Sequence, residues 1–499
     1  MFSPKTGVHK KPKIPKISEV SEVSEVSEVS DSGNSASEQS SASVLTSVEP
    51  KKIGFWPQVA LIFFTVSGGA YGLEAMVGAV GPRWTLLLVL LVPIFWAVPI
   101  SLMAAELGSA IPEVGGYYVW VRRGLGKFWG FQEGWWTLCY SMVDLALYPV
   151  LFVTYLSYFF PTMLSANTHS GQITKWGVCS LFIFLSLLLN LRGIRRVGFN
   201  SIANLFIVSF PFVLLAIIGL FRGDWSLLNQ AIHTGPPNGS NFPKLAAGLS
   251  IVLWNYSGWD NTSTYAEEIE NPQRNYPRTL AVSMIIIIAS YVLPLLAGFK
   301  ATISPADWSE GSGWPAIAAK LGGPWLGTIG AIAALLSAWS LFNVQLLYVS
   351  RLPVAMARDG WLPERLTRRS PQSGAPTFVL VLLAVASALF ASLSLEKLMV
   401  VDILFYSLGL SLEFAALIRL RQIEPDLPRP FKIPLGQFGL LLMSLPALAT
   451  ALTVAVFSVK GDGGSFFQLG IVLLGIASGI LMYVIQMRRT RRAIKPSSN

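Results

Sequence analysis

The chain has 499 residues, of which 53% are apolar and only 13% charged, and it carries a formal net charge of +10. Ordinary soluble domains have about a quarter of their residues charged, so this balance excludes that class, and a single anchoring helix could not produce it. The basic excess could suggest nucleic acid. In so apolar a chain, loop arginines facing an anionic membrane surface account for it, and nucleic-acid binding is set aside.

Residues 1–50 begin with lysines and repeat Ser-Glu-Val from Ser18 to Val29, a composition that cannot bury a core. They read as a disordered cytoplasmic N-terminal tail, open to phosphorylation and to protein partners. No apolar stretch near Met1 reads as a cleaved signal. Residues 51–487 read as an all-α polytopic membrane domain. A bilayer crossing takes about 20 mostly apolar residues, and such stretches occur at 57–80, 84–108, 130–160, 174–191, 199–221, 244–265, 279–299, 324–350, 375–394, 398–419, 435–459 and 465–487. Glu113 to Lys127, between the second and third, reads as a short amphipathic helix, and residues 488–499 as a short basic cytoplasmic tail. Loop arginines such as Arg122, Arg123, Arg195, Arg196, Arg365 and Arg368 fall on the side of the tails. Basic residues there outnumber those of the opposite loops about two to one, which places both termini in the cytoplasm.

Cys139 and Cys179 lie in apolar segments and read as small buried hydrophobes. His9, His169 and His233 all fall outside the spans, which leaves no histidine for an intramembrane proton relay. The chain has no Gly-x-x-x-x-Gly-Lys-Ser/Thr loop and no metal-ligand spacing of His or Cys. Neither catalysis, a cofactor nor a metal is therefore expected.

Two spans carry interruptions. The first has adjacent Gly68 and Gly69, followed by Gly72, where each glycine costs a helix interior about 1 kcal/mol relative to alanine. The sixth has Trp254-Asn-Tyr-Ser-Gly-Trp-Asp260. Broken helices five spans apart point to a transporter built from inverted repeats, with its site where unwound backbone offers free N–H and C=O groups. Close packing through small residues is the competing explanation.

Glu74, Asp144, Asp260 and Glu413 fall inside spans, whereas no lysine or arginine falls in the middle third of any span. An ionised side chain at the bilayer centre costs at least about 2.5–3.5 kcal/mol, so a proton, a metal ion or a cationic substrate must neutralise these acids. Tyr140, Asp144 and Tyr148 share a helix face through their four-residue spacing, and Trp254, Tyr256 and Trp259 surround Asp260 in sequence. Aromatic faces attract amines. Glu413, with Tyr406 two turns earlier, reads as an amine site, a proton acceptor or a structural acid. Glu106, Asp402 and Glu133 lie near span ends and read as snorkelling or capping residues. Glu267, Glu268 and Glu270 could pair with Arg274, Arg278 or the arginines of the short helix as a cytoplasmic gate, or form a plain solvated charge cluster.

The paired glycines of span one, Asn-Tyr-Ser-Gly-Trp-Asp of span six, Glu113-Val-Gly-Gly-Tyr117 and the run from Glu267 to Arg278 resemble the amino acid–polyamine–organocation superfamily over roughly residues 55–490. Within it the chain is most similar to plant polyamine uptake transporters, relatives of the L-type amino acid transporters. The resemblance implies a leucine-transporter fold, five spans plus five inverted with two additional helices. It also implies proton-coupled uptake of putrescine, spermidine and spermine at a plasma membrane by alternating access. Amino-acid-binding members typically show Gly-Ser-Gly-Ile-Phe in span one. Here Ser67-Gly-Gly-Ala-Tyr71 is followed by Glu74, a poor neighbour for a substrate carboxylate. The expected substrate site comprises Gly68, Gly69, Tyr71, Glu74, Asp144, Tyr148, Trp254, Tyr256, Trp259, Asp260, Tyr406 and Glu413. Asp260 with Trp259 and Tyr256 should hold one ammonium, and Glu74 or Asp144 a second. An amino acid exchanger of the same fold and a non-transporting receptor or sensor are the competing functions.

Because residues 1–45 lack apolar anchors, their deletion should leave transport kinetics intact. A correctly located truncation that cannot carry substrate in vesicle uptake would contradict this.

Overall fold

A computed structural model of the protein describes residues 52–164, 168–192, 194–233, 242–302, 304, 307–308, 313–391, 395–460 and 465–494. The N-terminal tail and the last five residues lie outside them. Among the described residues, eight helices are long and apolar enough to cross a membrane, and Phe55–Val66, Thr377–Phe390 and Gln437–Thr450 are shorter apolar helices. With the interrupted sixth span these make a multi-pass bundle of about twelve crossings.

Span one is α1 (Phe55–Val66) and the first turns of α2 (Leu73–Val92). Gly81 then turns the chain with φ 79°, and Pro82 starts span two, which a π-helical turn at Pro93–Ala97 connects to α3 (Val98–Ala110). The short amphipathic segment is α4 (Tyr117–Leu125), and span three is α5 (Lys127–Leu156). There follow α6 (His169–Asn190), α7 (Ile194–Arg222) and the short α8 (Trp225–His233). Span six is α9 (Phe242–Asn255), an irregular stretch, and a 3-10 helix over Asn261–Glu268. The rest is α10 (Pro272–Phe299), α11 (Trp314–Gly322), α12 (Pro324–Val349), α13 (Arg351–Arg358), α14 (Thr377–Phe390), α15 (Leu395–Ile423), α16 (Gln437–Lys460) and α17 (Ser465–Ile494). The first and sixth spans are the interrupted ones, so five spans are followed by five more that begin the same way, and then by two additional helices. α17 continues to Ile494, past the expected start of the C-terminal tail.

The two breaks lie against each other. At Gly258 φ is 95°, and a Cβ there would meet the Thr65 carbonyl oxygen at 2.9 Å. At Gly68 φ is 65°, and a Cβ would press on Leu341 and Ser337 of α12 at 2.7 Å. Glycine thus solves both a backbone angle and a lack of room. The outer ends of the broken spans are also joined, since Ile53 N–H donates to the Glu268 carbonyl and Glu270 N–H to the Ile53 carbonyl, both at 2.8 Å.

Ion pairs gather at this same end. Glu106 of α3, fully buried, accepts from Arg421 and from the Ile433 N–H, and lies 3.3 Å from Arg429. Glu268 pairs with Arg351 at 3.2 Å, not with the arginines expected from the sequence. Those of the short helix are taken elsewhere, Arg122 by Asp359 and Arg123 by Glu424. The cause is the compact 3-10 end of span six, which delivers Glu268 to the start of α13.

Gly258→Ala should destabilise the protein by at least about 2 kcal/mol, combining left-handed strain with a collision against backbone that cannot give way. The check is the thermal midpoint of the purified variant in detergent, which should fall well below that of wild type.

Candidate functional site

Unwinding leaves backbone groups without helical partners, and side chains from neighbouring spans replace them. In span one, Ser337 donates to the Gly68 carbonyl, Trp314 donates to the Ala70 carbonyl at 2.7 Å, and the Ser67 hydroxyl accepts from Gly69 N–H at 3.0 Å. In span six, Tyr291 donates to the Asn255 carbonyl at 2.6 Å. The Tyr406 hydroxyl of α15 accepts from Gly258 N–H at 2.7 Å and donates to Asp260 Oδ1 at 2.5 Å. One phenol therefore fastens the broken helix and its acid to span ten.

Between the breaks lies a small cavity, bounded by Thr65 to Ser67, by Ser257, Gly258 and Asn261, and by side chains of α5, α12 and α15. Its acids are Asp144 and Asp402, both buried. Tyr148 donates to both oxygens of Asp144, at 3.2 and 3.1 Å, and stacks with Trp254 at 6.4 Å between ring centres. Across from them Asp402 Oδ1 has no hydrogen-bond partner, close enough for the two carboxylates to feel each other's charge. Tyr140, Tyr348 and Tyr406 complete the aromatic wall, and Asn261 donates to the Tyr348 hydroxyl at 2.9 Å. No lysine or arginine lines this cavity among the described residues.

Of the residues expected from the sequence, Asp144, Tyr148, Trp254 and Tyr406 line the cavity, and Asp260 lies directly behind Tyr406. Gly68 and Gly69 lie in the break of span one. Tyr256 and Trp259 are not brought into the cavity. Both are fully buried, the Tyr256 hydroxyl on the Val89 carbonyl at 3.0 Å and the Trp259 indole on the Tyr256 carbonyl at 3.0 Å. Glu74 and Tyr71 stand apart from it as well. Glu74 accepts from the Tyr155 hydroxyl and from Gly72 N–H, each at 2.8 Å, and so caps the restarted helix. Tyr71 donates to the Gly330 carbonyl at 3.1 Å. Glu413 lies deeper, beside Asp260 and Glu133.

Asp402 and Glu133 were expected at span ends, and the structure places both in the buried interior. α15 begins at Leu395 and α5 at Lys127, so each acid is nearly two turns inside its helix. Their spacing was a usable signal. Asp402, Tyr406 and Glu413 repeat in reverse the intervals of Glu133, Tyr140 and Asp144, as facing positions on antiparallel helices would. Tyr348, Gln345 and Asn261 carried no signal beyond polarity within an apolar run.

A helical bundle with two broken spans around a buried, polar-lined central cavity defines a membrane transporter. The chain matches the amino acid permease family over residues 53–482 and belongs to that family. It is 35% identical to a probable polyamine transporter of Arabidopsis thaliana over 415 residues, 82% of this chain and 80% of that one. It is 33% identical to the polyamine transporter PUT1 of Oryza sativa subsp. japonica over 89% of this chain and 81% of that one. The serine/threonine exchanger SteT of Bacillus subtilis is similar at 24% identity, over 75% of this chain and 80% of the exchanger.

Tyr406→Phe removes the hydroxyl shared by Gly258 and Asp260, stranding a buried N–H and a carboxylate. A loss of about 1–3 kcal/mol in stability is expected, read as a lowered thermal midpoint in detergent. An unchanged midpoint would mean that the phenol does not hold the break.

Proposed function

We propose that this protein is a secondary active transporter that imports polyamines and similar organic cations across the plasma membrane, both termini being cytoplasmic, with protons as the coupling ion. The observation that carries this reading is the pair Asp144 and Asp402 in one buried, aromatic-walled cavity without a base. Two carboxylates removed from water need positive charge. An alkylammonium supplies it, its charged end within reach of the ring faces of Tyr148, Trp254 and Tyr140, where a cation–π contact contributes about 0.5–2 kcal/mol. The names of the plant relatives point the same way.

The α-carboxylate of an amino acid would meet Asp144 and Asp402 here, which weighs against an exchanger of serine or threonine such as the bacterial relative. Flux through the purified chain alone would separate a transporter from a receptor. Proton symport is not demanded by energetics. The membrane potential supplies about 2.3 kcal/mol per charge per 100 mV, so a dication gains about 4.6 kcal/mol.

Uptake of labelled putrescine and spermidine into proteoliposomes, with and without a pH gradient and a voltage, tests the reading. Asp144→Asn and Asp402→Asn should each raise the half-saturating amine concentration at least about tenfold, the loss of one buried charge-assisted contact. Uptake of leucine or arginine that excess spermidine does not inhibit would overturn it.

A further inference from the structure

Three carboxyl groups, Glu133, Asp260 and Glu413, lie together on the side of Tyr140 and Tyr406 away from the cavity. The chain path defines that side. Along α5 the order is Glu133, Tyr140, Asp144, and along α15 it is Asp402, Tyr406, Glu413. The helices pack together with the two tyrosine rings 6.0 Å apart. Asp144 and Asp402 share the cavity on one side of this layer. On the other, Glu133 fits a notch left by Gly409, where a Cβ would lie 2.9 Å from its Oε1, one turn from Glu413.

This inner group is short of partners. Glu133 is 1% exposed and Glu413 2% exposed, and the Oε2 atom of each has no hydrogen-bond partner. Thr137 donates to Glu133 Oε1 at 3.3 Å, and Tyr406 to Asp260 at 2.5 Å. Among the described residues none of the three acids takes part in an ion pair. From α4, the Tyr117 hydroxyl reaches the same place. It is 1% exposed, likewise unpartnered, and lies near all three acids. Asp260 and Glu413 also share a hydrogen bond, and the buried oxygens of Glu133, Glu413 and Tyr117 that have no partner are costly unless a proton or a cation completes them.

We propose that Glu133 and Glu413, with the Tyr117 hydroxyl, form a second ammonium subsite that engages the far amine of long polyamines. It rests on the reading of the outer cavity as an amine site. Asp144 and Glu133 are eleven residues apart on one helix, as are Asp402 and Glu413 on the other, which is about 16 Å at 1.5 Å per residue. Tyr140 and Tyr406, with Asp260 bonded to the latter, stand about 6 Å along that distance from the outer acids. An extended chain advances about 1.2 Å per bond. Five bonds separate the nitrogens of a butane diamine, about 6 Å, which matches the step from the outer pair to Asp260. Thirteen bonds separate the terminal nitrogens of a tetraamine, about 16 Å, which matches the full distance to Glu133 and Glu413. The acid column is thus a ruler for amine spacing.

The test uses the full chain in proteoliposomes, with inhibition constants for putrescine, spermidine and spermine measured on wild type, Glu133→Gln, Glu413→Gln, Tyr117→Phe and Asp144→Asn. The inner variants should lose affinity in proportion to chain length, the loss for spermine exceeding that for putrescine by about tenfold. Asp144→Asn should weaken all three alike. Tyr117→Phe keeps the ring and reads the same ratio should either glutamine variant fail to fold. Equal fold-losses for the three amines in all inner variants, or none, would overturn the inner subsite and leave those acids as proton-holding or structural groups. A wild-type protein that binds none of the amines would instead overturn the amine reading itself.

Discussion

A helix that unwinds at the centre of a bilayer leaves N–H and C=O groups where no water can reach them, and each orphan costs several kcal/mol. The breaks at Ser67 to Gly72 and at Tyr256 to Asp260 exist because other spans supply substitutes. Ser337 and Trp314 serve the carbonyls of Gly68 and Ala70, Tyr291 serves Asn255, and Tyr406 serves the N–H of Gly258. Much of the remaining architecture is arranged around that requirement. Spans seven, eight and ten must approach the breaks closely, and the small residues Gly68 and Gly258 make that approach possible. The cavity is the space that the two breaks and these supporting helices leave between them.

The treatment of buried acids separates structure from function. Glu106 is as deeply buried as any, yet it has Arg421, Arg429 and a backbone N–H, and such a satisfied network ties α3 to the end of α15. Glu74 is satisfied by Tyr155 and by the helix it caps. Asp144, Asp402, Asp260, Glu413 and Glu133 have no basic partner among the described residues; their hydrogen bonds come from phenols, a threonine hydroxyl, the Trp254 indole, one backbone N–H and one another. A carboxyl group facing a neighbouring carboxyl group requires a proton or a cation between them. The ring faces that flank them attract cations, while their hydroxyls donate to Asp144 and Asp260.

Tyr406 belongs to both groups. Its hydroxyl closes the backbone of span six and also orders Asp260, and its ring meets Tyr140 to separate the outer acids from the inner ones. A cation that takes the place of this hydroxyl at Asp260 would weaken the fastening of the break as it binds. If the proposed amine binds at Asp260, this one hydrogen-bonded group would link it to the arrangement of span six, the kind of discrete two-way contact that alternating access uses.

Length, hydropathy and glycine placement determined the spans and the two breaks, because bilayer thickness and helix propensity act on local sequence alone. The register of side chains was another matter. Asp402 and Glu133 seemed terminal in sequence because a span's apolar stretch is shorter than its helix, and α5 and α15 extend a turn beyond it. Tyr256 and Trp259 are adjacent to Asp260 in sequence but turn away from the cavity, since the irregular backbone after Asn255 follows no helical period. Glu74 is occupied by Tyr155, eighty-one residues away in the chain, and Glu268 by Arg351, eighty-three away. Which acids are paired and which are not depends on partners brought from distant spans, and only tertiary packing could decide that.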